Sequence, residues 1–422
     1  MNVQDKVLSK TLKIVGGKLL RNVEDIFSIK KLISILSKKG YIGSNVIETQ
    51  IHSEDEKLVE HEILKYIIHS GEYTESMAYD VNELSLNMAI DMCSEGVYAY
   101  DLLPHNFTFH NGKWFLYDFD SFKFSPTKSI TQIRGFFKII FSNYEILRLI
   151  SREELKHYYL TRYRIEDIFH IIPFHRWLYL FFNQSICNIL YAIGFHKLTY
   201  LYLKNLFKKY SKGYIKNYYQ YNENSYHIEL NKILSEYNVQ NAFCVGDEAA
   251  RWAIYDEKQN SNITKLVYID DYTLCDEYYN YVVKNEFNHI IPAVLYPLVN
   301  DEEIPSNYKY RAIYDTYAQE RFYSDCVVAL DIEDKNKKEL FNNLSIFTSN
   351  ILILYSDNCT QDDINYLKTL FKSVEVFNLF VVAKEKVHNI IPIANNPYKD
   401  GNRGPFAIRQ SRMVKELIQY KI

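Results

Sequence analysis

The sequence predicts an α/β protein whose C-terminal third is a Rossmann-type open sheet, preceded by an α+β lobe and a helical region. Three observations predict it. From about residue 240 onward, short β-rich runs alternate with helical ones, the habit of an open, largely parallel sheet. Residues 126–238 read as helical and aromatic, whereas residues 1–125 mix strand-like and helical segments. A chain of 422 residues with 47% hydrophobic content also has the material for two or three domains, at about 100–200 residues each. The expected division is 1–125, 126–238, 239–390 and a tail at 391–422.

Composition narrows the function classes. A formal net charge of −3 argues against a generally basic nucleic-acid binder, so no specific nucleic-acid partner is expected. The six cysteines lie far apart with no C-x-x-C pair, which argues against a zinc ribbon or a disulfide scaffold and fits the reduced thiols of a cytoplasm. Residues Met1 to Lys6 lack the basic-then-apolar order of a signal peptide, so the expected location is cytoplasmic.

Taken in chain order, the first chemical pattern is "YDLLPHNFTFHNGKWFLYDFDSF". Asn111-Gly112 between two β-rich runs predicts a hairpin closed by a type I′ turn. Counting back from that turn puts Asn106 opposite Tyr117, with Asn106 and Asp118 side by side at the open end and Asp101 on the entering loop. An amide oxygen beside carboxylates suits Mg²⁺, which prefers oxygen ligands shared with phosphates. The bland alternative is a stable hairpin whose acids cap loops. Asp101-x-x-Pro104-x-Asn106 and Asp118-Phe119-Asp120 resemble the catalytic loop and metal-binding segment of protein kinases and aminoglycoside-phosphotransferase-like kinases. That resemblance implies Asp101 as catalytic base, Asn106 and Asp118 as metal ligands, and Mg-ATP as cosubstrate. Gly16-Gly17 stands where a nucleotide-clamping loop would be, with Lys13 or Lys18 pairing to Glu60 or Glu62.

The helical region follows. Trp177 to Phe195 is long enough to span a bilayer, but Asn183, Gln184, Ser185 and Asn188 in its middle predict a buried or interfacial helix instead. Behind it, Lys204, Lys208, Lys209, Lys212 and Lys216 form a basic face with tyrosines interleaved. Solvation is the ordinary role of such a face, and contact with anionic glycans, membranes or nucleic acid is its rarer one. His170, His175 and His196 sit among apolar residues and read as core or interface histidines.

In the C-terminal region, strands are expected at Ala242–Val245, Leu266–Ile269, within "HIIPAVLYPLV", at Asp325–Leu330 and at Asn350–Tyr355. Thr360 reads as the N-cap of a helix with acids in its first turn, and "VEVFNLFVVAKEK" closes the region as β-structure. In such sheets a ligand lies across the carboxyl ends of the first strands. Gly246 ends the first strand and Asp270 the second, near the spacing at which an acid accepts from ribose hydroxyls. Asp247 and Glu248 at the following helix start complement its dipole but repel a pyrophosphate. A cofactor bearing a sulfonium and an ammonium instead of phosphate, such as S-adenosylmethionine, fits that charge better.

The chain order also resembles a family of bacterial S-adenosylmethionine-dependent methyltransferases related to a nodulation protein, which carry a D-x-x-x-x-N…D-x-x-S-F segment before the methyltransferase domain. Asp101, Asn106, Asp118, Ser121 and Phe122 match that segment, "FCVGDEAARWA" the cofactor loop, "LVYIDD" the ribose strand and "SDCVVALDI" the fourth strand. The resemblance implies a cofactor site at Gly246, Asp247, Asp270, Asp271 and Asp325, with Asp331 or Asp325 as base for a hydroxyl acceptor. It implies methyl transfer to a small molecule or glycan precursor, in surface polysaccharide synthesis. The departures are Cys244 in place of an acid, a loop that keeps one glycine, and Asp331-Ile332-Glu333 where the family has a His-containing segment. Three readings therefore stand: methyltransferase, Mg-ATP-dependent kinase, and a non-catalytic protein built on both folds.

Overall fold

The computed structural model describes residues 6–7, 12–16, 18–68, 72–126, 130–137, 174–211, 216–269, 271–294, 322–331 and 337–387. Asp270, Gly17, His170 and the 391–422 tail lie outside them.

The N-terminal lobe is built on β1 (Lys6–Val7), β2 (Leu12–Val15), β3 (Lys18–Asn22), β4 (Thr49–Ser53) and β5 (Leu58–His61). They form one antiparallel sheet in the order β1-β2-β3-β5-β4. Helix α1 (Ile26–Lys38) is inserted between β3 and β4; Asp25 caps it by accepting from the Ser28 N–H, and Ile26, Leu32 and Leu36 are its buried stripe. Helix α2 (Glu75–Cys93) starts at Thr74, whose hydroxyl accepts from the Met77 N–H. Two small antiparallel pairs follow: β6 (Tyr98–Ala99) with β9 (Phe122–Lys123), and β7 (Phe107–His110) with β8 (Lys113–Leu116). Asn111 and Gly112 have φ of 46° and 71°, as the expected type I′ turn requires, and Tyr117 N–H bonds to Asn106 O in the expected register.

Of the helical region, α3 (Ile130–Gly135), α4 (Phe174–Ala192), α5 (His196–Tyr210) and α6 (Tyr226–Glu236) are described. His196 is packed between the rings of Tyr191 and Tyr98, which fits a structural histidine.

The C-terminal region is a seven-stranded sheet of β10 (Asn241–Val245), β11 (Thr264–Tyr268), β12 (Ile290–Ala293), β13 (Ser324–Ala329), β14 (Thr348–Tyr355), β15 (Phe371–Val376) and β16 (Phe380–Lys386). Its order is β12-β11-β10-β13-β14-β16-β15; β10 to β14 run parallel, and β16 is antiparallel to both neighbours. The strand order therefore reverses between β10 and β13, the place where open α/β sheets form a ligand crevice. Helices α7 (Asp247–Lys258), α8 (Tyr272–Lys284), α9 (Lys337–Ser345) and α10 (Gln361–Leu370) pack around it. Thr360 caps α10 in a reciprocal box with Asp363, as expected. Lys265 on β11 is fully buried against Asp256 (2.7 Å) and Glu257 (3.2 Å), which ties α7 to the sheet.

The regions share one continuous hydrophobic interior. Three tyrosines stitch it, burying their rings while their hydroxyls find partners: Tyr66 bonds to Ser324 at 2.6 Å, Tyr73 donates to the carbonyl of Phe107, and Tyr278 donates to that of Ala250. Trp114, on β8, donates its indole N–H to Tyr279 on α8 at 2.8 Å.

Candidate functional site

Two acid-rich places emerge. The first is the open end of the β7–β8 hairpin. Asn106 is buried, and its side-chain nitrogen donates to the Asp101 carbonyl (2.6 Å) and to Ser121 Oγ (3.3 Å). Ser121 Oγ in turn donates to the Asp101 carbonyl at 3.0 Å. Asn106 thereby fixes the loop carrying Asp101 while its amide oxygen stays available to another partner. Asp118 follows β8 and caps a short turn, with Oδ1 accepting from the Asp120 N–H at 3.1 Å. The structure thus brings Asp101, Asn106 and Asp118 to one end of the hairpin, as the turn register predicts.

Arg21 is the residue that sequence reasoning missed here. It lies on β3 and donates to Asp118 Oδ1 at 3.1 Å and to Asp120 Oδ2 at 2.5 Å. The expected Lys18–Glu60 pair does form, at 2.9 Å, but at the surface, with His52 also on Glu60. The cation that reaches this end of the hairpin from β3 is an arginine, not one of the lysines expected there. Its guanidinium already supplies positive charge at the carboxylate that a metal would need. Among the described residues no group of three or more His, Cys, Asp or Glu side chains is disposed to hold a metal ion.

The second place is the crevice at the carboxyl ends of β10 and β13. Gly246 follows β10 with φ of +91°, a left-handed backbone that favours glycine, and its N–H bonds to Tyr268 O at 2.9 Å. What presses on Gly246 is a side chain of the same protein. A Cβ on Gly246 would stand 2.0 Å from Asp331 Oδ1, and Asp331 Oδ2 accepts from the Asp247 N–H (2.9 Å) and the Glu248 N–H (3.4 Å). Asp331 therefore caps α7 from the end of β13, satisfying two of the helix's open donors. Burial against these neighbours outweighs the hydrogen bonds, and pushes the Asp331 carboxyl up to about 6.

The other acids of the crevice are also engaged within the protein. Asp247 accepts from Arg251 at 2.8 and 3.0 Å and from the Tyr219 hydroxyl. Glu248 accepts from the Tyr226 hydroxyl and lies 3.7 Å from Arg251. Both phenols are held above their ordinary range, first by burial and then by the adjoining carboxylate. Tyr219 lies in the segment before α6 and Tyr226 is the first residue of α6; no local pattern marks them. Asp271 lies just beyond β11, on the correct end of the sheet, and caps α8 by accepting from the Leu274 N–H at 2.8 Å.

One expected site residue is misplaced. Asp325 lies at the amino end of β13, where its carboxylate accepts from the N–H groups of Gln240 and Asn241 and from the Asn241 side chain. β13 is parallel to β10 and pairs Cys326 with Ala242 and Ala329 with Val245, so Asp325 and Gly246 stand at opposite ends of the sheet. Asp325 is a structural clamp between two strand starts and is neither a base nor a cofactor ligand at this crevice.

No protein-family model and no curated protein sequence matches the chain. Solved structures that it is similar to include a SAM-dependent methyltransferase from Aquifex aeolicus, at 10% identity over 39% of this chain and 94% of that one, with a TM-score of 0.26. An O-methyltransferase family protein from Burkholderia thailandensis is similar at 8% identity over 38% of this chain and 55% of that one, TM-score 0.26. A phosphoethanolamine N-methyltransferase from Haemonchus contortus, solved with phosphoethanolamine and S-adenosylhomocysteine, is similar at 12% identity over 44% and 47%, TM-score 0.23. The chain spans about half the length of these last two.

Proposed function

We propose that the C-terminal sheet binds S-adenosylmethionine at its crevice and that the protein is a methyltransferase for a small-molecule acceptor, a glycan precursor for surface polysaccharide being the class the sequence resemblance suggests. The observation that carries this reading is the reversal of strand order beside Gly246, at a rim carrying Asp247, Glu248, Asp271 and Asp331. Such a rim favours a ligand with sulfonium and ammonium charges and disfavours a pyrophosphate. Gly246, Asp270, Asp271 and the N–H groups that start α7 would hold the cofactor, which supplies an electrophilic methyl group when bound.

The fit has a condition. Asp331 already sits on the helix N–H groups that an amino-acid carboxylate would use, so binding exchanges one carboxylate for another. Released from that position, Asp331 would be a carboxylate at the crevice able to act as base for a hydroxyl acceptor. Orienting the acceptor against the methyl group would carry most of the catalysis.

Thermal melting with S-adenosylhomocysteine tests the reading. Stabilisation is expected, lost in Asp270→Ala; a melting point unmoved by the ligand overturns it.

One observation favours a second reading, phosphotransfer at the hairpin. The five-stranded sheet with α1 between β3 and β4, the β6–β9 and β7–β8 pairs, and a β3 cation on Asp118 are the parts a kinase-like lobe needs. The donor set fits Mg²⁺ once Arg21 yields Asp118, because Asn106 still offers its amide oxygen. Stabilisation by Mg-ATP, lost in Asp118→Asn, would support it. A response to neither ligand would favour a non-catalytic protein.

A further inference from the structure

We propose that the α4–α5 hairpin is a docking surface for an anionic lipid bilayer, on which the protein lies without crossing it. Helix α4 buries Leu180, Asn183, Cys187 and Tyr191, one stripe at helical spacing. The opposite stripe is apolar too: Phe182, Ile186, Ile189 and Ile193 face away from the protein, and all but Ile186 are 60% or more exposed. A helix with apolar residues on its outer face as well as its inner one needs a partner for that outer face. The patch continues around the turn, where Phe195 is 56% and Leu198 50% exposed.

Charge identifies the partner. From residue 168 to residue 222 the sequence contains no Asp or Glu, although the whole chain has 52 of them. Lys197 is exposed at the turn, and Lys208 and Lys209 are exposed at the far end of α5, where Lys209 donates to the Tyr179 hydroxyl beside the start of α4. An apolar face bordered by lysines and free of acids matches the interfacial region of a membrane, where side chains bury about 5–10 Å deep and lysines reach phosphates. A second copy of the chain is the poorer occupant, since it would set lysine against lysine. Crossing is disfavoured as well: no described helix is long and apolar enough to span a bilayer.

Flotation of the full-length chain with vesicles tests this. Vesicles of phosphatidylcholine mixed equally with phosphatidylglycerol should capture the protein at about 0.1 M salt, and phosphatidylcholine alone should capture much less. The double substitution Ile189→Asp with Ile193→Asp changes only exposed positions, so its melting point should match the parent while vesicle binding falls about tenfold or more. Lys197→Glu with Lys208→Glu should cost about tenfold on the charged vesicles and little on the neutral ones. Equal capture by both vesicle types, or undiminished binding by the Ile189→Asp/Ile193→Asp protein, overturns the proposal. So does a parent that ignores vesicles but sediments as a dimer that the isoleucine substitutions dissociate, which would make the face a contact between copies.

Discussion

The hairpin loop and the sheet crevice both gather acids, but they are assembled differently. In the loop, Asp101, Asn106, Asp118 and Ser121 lie within one short segment, and a two-residue turn sets their register. In the crevice, Gly246 and Asp331 are brought together from separate strands, and tyrosines from a third element complete the arrangement. The loop keeps an amide oxygen in reserve, whereas the crevice acids are each paired with a protein group. A local site therefore shows its chemistry in its spacing, while a long-range site can retain the fold and turn its polar groups inward.

The largest expected effect breaks the crevice. Gly246→Ala adds a Cβ at a left-handed backbone and against Asp331, and should destabilise the protein by about 2–4 kcal/mol, read from its denaturant midpoint. Pairing it with Asp331→Gly should recover the part due to contact, a non-additivity that distant sites do not show. Equal stability of Gly246→Ala and the parent would mean that Asp331 does not occupy the crevice in solution.

A smaller effect probes the loop. Asn106→Ala removes the donor to the Asp101 carbonyl and should cost about 1–3 kcal/mol, whereas Arg21→Gln, breaking a partly exposed pair, should cost under about 1 kcal/mol. If Arg21→Gln were the more damaging, the ion pair and not the amide would be what holds this loop.

These contrasts show what the sequence could carry. The Asn-Gly turn, the Thr360 cap and the strands at 242–245, 325–330 and 350–355 were legible because each depends on neighbours within a few residues. Asp325 was legible as the first residue of the strand expected at 325–330, and in a parallel sheet that start lies at the end away from Gly246, so its assignment to the site conflicts with its own strand. Helix α9 is only nine residues long and begins in a lysine-rich run, so its residues announce it weakly. The five-stranded N-terminal sheet is built from strands of two to five residues, too brief for alternation to mark.

A further effect concerns pH. Asp331 is raised from 3.8 to about 6 in the folded protein, so between those values the folded state holds a proton that the unfolded chain has released. Its contribution to stability is therefore fully present below the lower value and is lost as pH rises through about 6. Asp331→Asn should flatten that part of the stability profile, measured by chemical denaturation at stepped pH; an unchanged slope would assign it to other groups.

The indole–phenol bond between Trp114 and Tyr279, together with the Tyr66–Ser324 contact and the Val294 N–H on the Glu72 carbonyl, means that neither half owns all of its own inside. A gene cut anywhere between the two halves would leave aromatic rings and backbone donors facing water on both fragments. The polypeptide is accordingly expected to melt in one step and to resist dissection into separately soluble parts.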